Sequence, residues 1–97
     1  MSLDYAQLAA LAAVVGEGSF DAAARALHVT PSAVSQRIRQ LEERVGAVLV
    51  QRGTPCIATA AGAPLLRHAE RVALLEAELA ATLPAQASAR GIKSGGR

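Results

Sequence analysis

The stretch TPSAVSQRIRQLEERVG, residues 30–46, constrains the fold more than any other. Thr30 is a strong helix N-cap, and Pro31 suits the first helical position, where its missing N–H would be unpaired anyway. Val34, Ile38, Leu41 and Val45 then form one inward stripe at the helical period, and Gly46 ends the helix. With Ile38 set inward and about 100° of rotation per residue, Ser32, Gln36, Arg39 and Glu43 fall on the opposite side, with Ser35 at its edge. A helix facing only water ordinarily fills that side with Glu and Lys. Here short polar groups and an arginine occupy it, and the acids, Glu42 and Glu43, come late. The fold must bury one side of this helix and thrust the other outward.

The neighbouring segments supply what would bury it. In DYAQLAALAAVV, residues 4–15, Tyr5, Leu8, Leu11 or Ala12, and Val15 share a helical stripe, and Gly16 and Gly18 are expected to stop that helix. Ser19 caps a second helix, FDAAARAL, with Phe20, Ala23, Ala24 and Leu27 inward. Its paired alanines let another helix approach closely. After residue 46 the period changes: AVLVQR reads as a strand, GTP as a turn and CIAT as a second strand. Pro55 beside the turn restricts pairing, so the hairpin should be short. Thr59 then caps AAGAPLLRHAERVALLEAELAATL, where the early Pro64 predicts a delayed start or slight bend. Leu65, Val72 and Leu79 repeat every seven residues, with Leu75 between them. A helix over 60–83 would be about 36 Å long, too long for the small domain before it to cover. The pattern therefore predicts a mainly α chain. A winged helix-turn-helix (three helices plus a short β-hairpin wing) spans 1–59, a long linker or dimerisation helix 60–83, and a disordered tail 84–97.

Composition excludes several classes of function. With 97 residues there is room for one small domain, whose marginal core favours a partner subunit. The formal charge is only +2, but it is unevenly spread. Residues 1–24 carry Asp4, Glu17 and Asp21 and no Lys or Arg, whereas residues 25–71 carry seven arginines against three acids. That asymmetry points to a phosphate-bearing partner. The single cysteine, Cys56, has no internal disulfide partner, and with only His28 and His68 beside it no zinc site can be built, so no metal or other cofactor is expected. No apolar run reaches membrane-spanning length, and Asp4 interrupts any signal-like leader, so a cytoplasmic protein without a membrane partner is expected. No catalytic residue is assigned either. Neither histidine has an evident relation to a serine, no glycine-rich loop follows a strand, and the carboxylates are few and separated. His28 reads as a turn residue near backbone phosphates, and His68 as an interface or surface residue. Single-strand binding by stacking would need exposed aromatics, and both Tyr5 and Phe20 fall in core-like positions.

What remains is a helix whose outer side suits the DNA major groove. Gln can pair bidentately with adenine, Ser can bond any base edge, and Arg reads guanine or holds phosphate. A rival class stays open: a winged helix that dimerises or binds protein without specific DNA recognition.

The run SFDAAARALHVTPSAVSQRIRQLEERVGAVL, with the later R and TAAG, resembles the N-terminal DNA-binding domain of LysR-type transcriptional regulators. Phe20, Ala23, Ala24, Leu27, Ser32, Ala33, Val34, Ser35, Ile38, Leu41, Glu42, Gly46, Leu49, Arg52, Thr59 and Gly62 carry the likeness, which covers roughly residues 4–80. SAVSQRI with VQRGTP is nearer still to the branch that controls lysine and arginine export. The resemblance implies base contacts from Pro31, Ser32, Ser35, Gln36 and Arg39. It implies phosphate or wing contacts from Ser19, Thr30, Arg37, Arg52 and Thr54. It also implies a homodimer, paired through the linker helix at Leu65, Val72, Leu75 and Leu79, on a double-stranded operator. The wing departs from the family's often basic pattern, with Arg52 at its base and GTPCIA beyond. Such regulators continue into an effector-binding domain that has no residues here, so a small-molecule effector is expected only if that domain accompanies the chain.

Overall fold

Asp4 starts the first helix by accepting the backbone N–H of Ala6 at 2.7 Å and of Gln7 at 3.3 Å, which satisfies two of the donors a helix start leaves open. In the computed structural model, which describes residues 3–84, the order is α1 (Tyr5–Glu17), α2 (Phe20–Leu27), α3 (Pro31–Val45), β1 (Val50–Gln51), β2 (Ile57–Ala58) and α4 (Gly62–Thr82). This is the mainly helical architecture expected, with the hairpin between α3 and α4. The tail expected from Pro84 falls on 85–97, outside the described residues.

α1 lies at the centre, packed against α2, α3 and α4. Because it is covered on several sides, its buried positions are Gln7, Leu8, Ala10, Leu11 and Val14, not the narrow stripe expected from its sequence. Tyr5 is 53% exposed and no core residue, and Val15 is half-buried, its place taken by Val14. Gly16 does not stop the helix. A side chain there would meet nothing within 4 Å, and the chain stays helical to Glu17. The stop is Gly18, left-handed at φ 86°, whose N–H returns to the Val14 carbonyl.

Leu11, Val14, Val34, Ile38, Leu41 and Leu49 are the largest fully buried side chains. Ala23 and Ala24 are buried as well, which lets α2 sit close to its neighbours. Phe20, Leu27, Val45 and Leu65 pack around this core without being fully covered.

The hairpin is shorter than the strands read from sequence, pairing only Val50 with Ala58 and Gln51 with Ile57. Beyond it the Thr59 N–H still reaches the Leu49 carbonyl at 3.0 Å, but two flanking N–H groups bond elsewhere. The Leu49 N–H donates to the Glu42 carboxylate at 2.9 Å, and the Cys56 N–H to the Gly18 carbonyl at 2.8 Å. Cys56 is thus a buried residue just ahead of β2 and not a half-buried strand residue. The Thr54–Pro55 peptide is cis.

Thr59 joins the wing to α4. Its Oγ1 donates to the Val48 carbonyl at 2.6 Å and accepts the Gly62 N–H at 3.0 Å. α4 begins at Gly62, the delayed start predicted from Pro64, which sits where its missing N–H costs no helical bond. Gly62 presses on the residue just before β1 so closely that a Cβ there would overlap the Leu49 carbonyl. The base of α4 is thereby fixed to the domain, and the rest of the helix projects from it.

Candidate nucleic-acid interface

The corner between α2 and α3 aims the third helix. His28 takes the left-handed conformation at φ 59°, and its N–H and that of Val29 return to carbonyls of the last turn of α2. His28 is exposed and acts as a backbone corner. Thr30 then caps α3, its Oγ1 accepting the Ala33 N–H at 3.1 Å, with Pro31 in the first turn.

Val34, Ile38 and Leu41 anchor α3 from within. Pro31, Ser32, Gln36 and Arg39 are exposed, and Ser35 and Arg37 are half-buried at the flanks. The expected base-contacting residues therefore lie together on an outward surface, with Ser35 closest to the domain. Among the described residues Gln36 and Arg39 have no intramolecular partner, so their polar groups remain available. Such a ridge combines hydroxyl, carboxamide and guanidinium groups, the types that bond base edges and phosphates.

The second set is more dispersed. Ser19 Oγ accepts the Ala22 N–H at 3.0 Å and so caps α2. A hydroxyl that accepts from the backbone still has its own proton to donate, so Ser19 and Thr30 keep one donor each for a phosphate oxygen. The Arg52 guanidinium lies 4.1 Å from the Phe20 ring centroid, a cation–π contact that ties the base of the wing to the start of α2. Ser19, Phe20 and Arg52 thus form one local surface. Thr54 is exposed at the wing turn.

Along α4 the four expected interface residues divide. Leu65 packs partly against its own core and Val72 is half-buried, whereas Leu75 is 63% and Leu79 56% exposed. Leu74, also exposed, projects from nearly the opposite side, and the heptad reading missed it. Sequence reasoning also missed the role of Glu42 as the clamp on Leu49. The only signal was an acid near the end of a helix followed by a loop N–H in need of an acceptor. Among the described residues no cluster of three or more His, Cys, Asp or Glu could hold a metal ion, and no helix is long and apolar enough to cross a membrane.

Comparison with known proteins agrees with this geometry. Residues 5–63 match the family of bacterial regulatory helix-turn-helix proteins of the lysR family. The HTH-type transcriptional regulator LysG of Mycobacterium tuberculosis is 66% identical over 86 residues, covering 89% of this chain and 28% of that protein. The lysine export transcriptional regulatory protein LysG of Corynebacterium glutamicum is 49% identical over 77 residues, covering 79% of this chain and 27% of that one. The chain therefore spans little more than a quarter of the length of these relatives. Among solved structures, the CbnR DNA-binding domain in complex with DNA superposes with a TM-score of 0.70 at 32% identity, over 80% of this chain and 91% of that one. An outward polar ridge, a short wing, a long following helix and this set of likenesses lead to one assignment: the chain belongs to the LysR family of bacterial regulatory helix-turn-helix proteins and carries the family's DNA-binding domain.

Proposed function

We propose that the chain is the operator-reading and dimerising part of a LysR-type regulator acting on basic amino-acid export genes. Residues 1–59 form the DNA-binding unit and 60–83 the linker helix. One observation carries the reading: α3 is anchored by its inner stripe and holds Ser32, Gln36 and Arg39 outward. The solved CbnR domain supports it, since a domain of similar length was crystallised on DNA.

α3 enters the major groove by its N-terminal half. Pro31, Ser32, Ser35, Gln36 and Arg39 meet base edges, with Gln36 suited to adenine and Arg39 to guanine. Ser19, Thr30, Arg37, Arg52 and Thr54 meet the phosphates on either side and fix the register. A second copy pairs through Leu65, Val72, Leu75 and Leu79. That pairing sets two recognition helices about one helical turn, roughly 34 Å, apart, the spacing a two-part palindrome needs. The export pathway rests on the likeness to the lysine export regulator of C. glutamicum. The place of action is the cytoplasm, on the chromosome.

Selection of bound sequences from a random duplex library tests this. The expected result is a twofold-related motif. Recovery of no common sequence by a chain that still dimerises would favour a winged-helix interaction module instead.

A further inference from the structure

Gln7 and Gln40 take no part in the surface described so far. Gln7, on α1, is only 7% exposed. Its Nε2 donates to the Gln40 Oε1 at 3.2 Å, while its own Oε1 is buried without a partner. A buried amide left half-satisfied is costly, and an apolar side chain of similar size would serve the core better. The one bond Gln7 makes runs to α3.

Gln40 follows Gln36 by four residues, so the two exposed carboxamides stand one turn apart on the outer side of α3. They are not equivalent. Gln36 has no partner among the described residues and can turn to offer a donor and an acceptor together, as adenine requires. Gln40 has its acceptor turned inward to Gln7. With that oxygen held on Gln7, the N–H pair of Nε2 is the part of Gln40 turned toward a partner.

We propose that Gln40 donates from Nε2 to a phosphate oxygen of the DNA backbone, with Gln7 as the positioning residue that orients it. This rests on the DNA-binding reading above. Its position supports phosphate over base. Gln40 lies on the flank of the outer side away from Ser35, about 140° around the helix from it. It also follows all five residues assigned to base edges, toward the end of α3 that leaves the groove. Phosphate oxygens only accept, which matches the N–H pair left open on Gln40.

The experiment measures affinity against salt for the full chain. One duplex carries the selected twofold sequence and the other a scrambled one. Gln40→Leu weakens both by about fivefold and leaves the salt slope unchanged, because the lost group is uncharged. Gln40→Lys, which offers donors and a charge, binds both at least as tightly as the wild type and steepens the slope by about one unit. Gln40→Glu, which can still accept from Gln7, weakens both more than Gln40→Leu does. Gln7→Met weakens binding only while Gln40 is present, and adds nothing to Gln40→Leu. Thermal unfolding shows that each variant is folded, and if Gln7→Met is not, the three Gln40 variants decide alone. A Gln40→Leu loss confined to the selected duplex overturns the inference, as does a Gln40→Lys variant weaker than Gln40→Leu. Equal losses from Gln7→Met in both backgrounds also overturn it, since they mark a merely structural residue. A wild-type chain that binds neither duplex overturns the DNA reading itself. Firm wild-type binding indifferent to all three Gln40 changes overturns this inference alone.

Discussion

α3 and α4 are both amphipathic helices, and the domain covers them to different extents. On α3 the stripe Val34, Ile38, Leu41 is fully buried, so beyond Pro31 the helix turns polar groups outward. On α4 only Gly62 and Ala69 are buried, and the apolar series continues to Leu75 and Leu79 with no cover. The period tells which residues share a side of a helix. Helix length relative to the domain decides what covers that side. α3 is short enough for α1 and α2 to close over, whereas α4, at 21 residues and therefore about 31 Å, outruns them. In the proposed function, the covered helix offers its outer side to nucleic acid and the uncovered one offers its apolar side to a second copy.

The sharpest way to break the contrast is to truncate both stripes. Ile38→Ala should cost roughly 2–5 kcal/mol of folding stability, the usual loss for a large buried aliphatic side chain. Leu79→Ala, measured on dilute protein, should change stability by less than about 0.5 kcal/mol, as exposed positions do. Denaturant titration of the two variants checks both. Comparable losses would mean that α4 folds back on its own domain.

Leu75→Asp separates the interface from the fold. Leu75 is 63% exposed, so the domain should remain folded and bind nonspecific DNA as one unit. The apolar seam should fail to pair, giving a monomer by sedimentation. Losing the linked second half-site should then lower operator affinity by about a hundredfold or more. A monomer with full operator affinity would make the pairing incidental. A variant that stays dimeric would move the interface off this helix.

Gln36→Ala and Ser35→Ala address α3 in the same way. Each should weaken specific binding by on the order of 1–3 kcal/mol and relax preference at individual base pairs. Comparing matched with mismatched operators tests this, and a uniform loss would assign those residues to phosphate.

The same two helices show what the sequence made legible. The α3 anchor, its Thr30 cap and its outer ridge were readable because each depends on spacing within one segment. The delayed start of α4 was readable from Pro64 for the same reason. Contacts between segments were not. Tyr5 sits on a helical stripe yet faces solvent, because α1 is central and buries a broader set of positions. Leu65 belongs to a heptad, yet its own core takes part of it, and no repeat reveals where a domain ends against its helix. The Glu42 bond to Leu49, the Gly62 contact with Leu49 and the Gln7–Gln40 pair all join distant residues. Each follows from the angles at which elements meet, and those are set by the whole fold.

Arg52 and Arg39 give the smallest and most discriminating test. Both are exposed, but Arg52 lies on the Phe20 ring at the base of the wing, and Arg39 projects from the outer side of α3. An exposed cation–π contact is worth about 0.5–1 kcal/mol, and its main consequence here is to hold one charge at a fixed place beside α2. If Arg52 serves a phosphate, Arg52→Gln should lower the slope of log affinity against log salt by about one unit and weaken all duplexes alike. Phe20→Leu keeps the charge and removes the ring, so the slope should stay nearly constant while affinity falls slightly on every sequence. Arg39→Gln should behave differently, with a loss of preference at one base pair added to any change in slope. Salt titrations of the three variants on matched and mismatched duplexes separate these outcomes. An Arg52→Gln variant with an unchanged slope would leave the wing outside the interface and make the stacked arginine a structural bridge between β1 and α2.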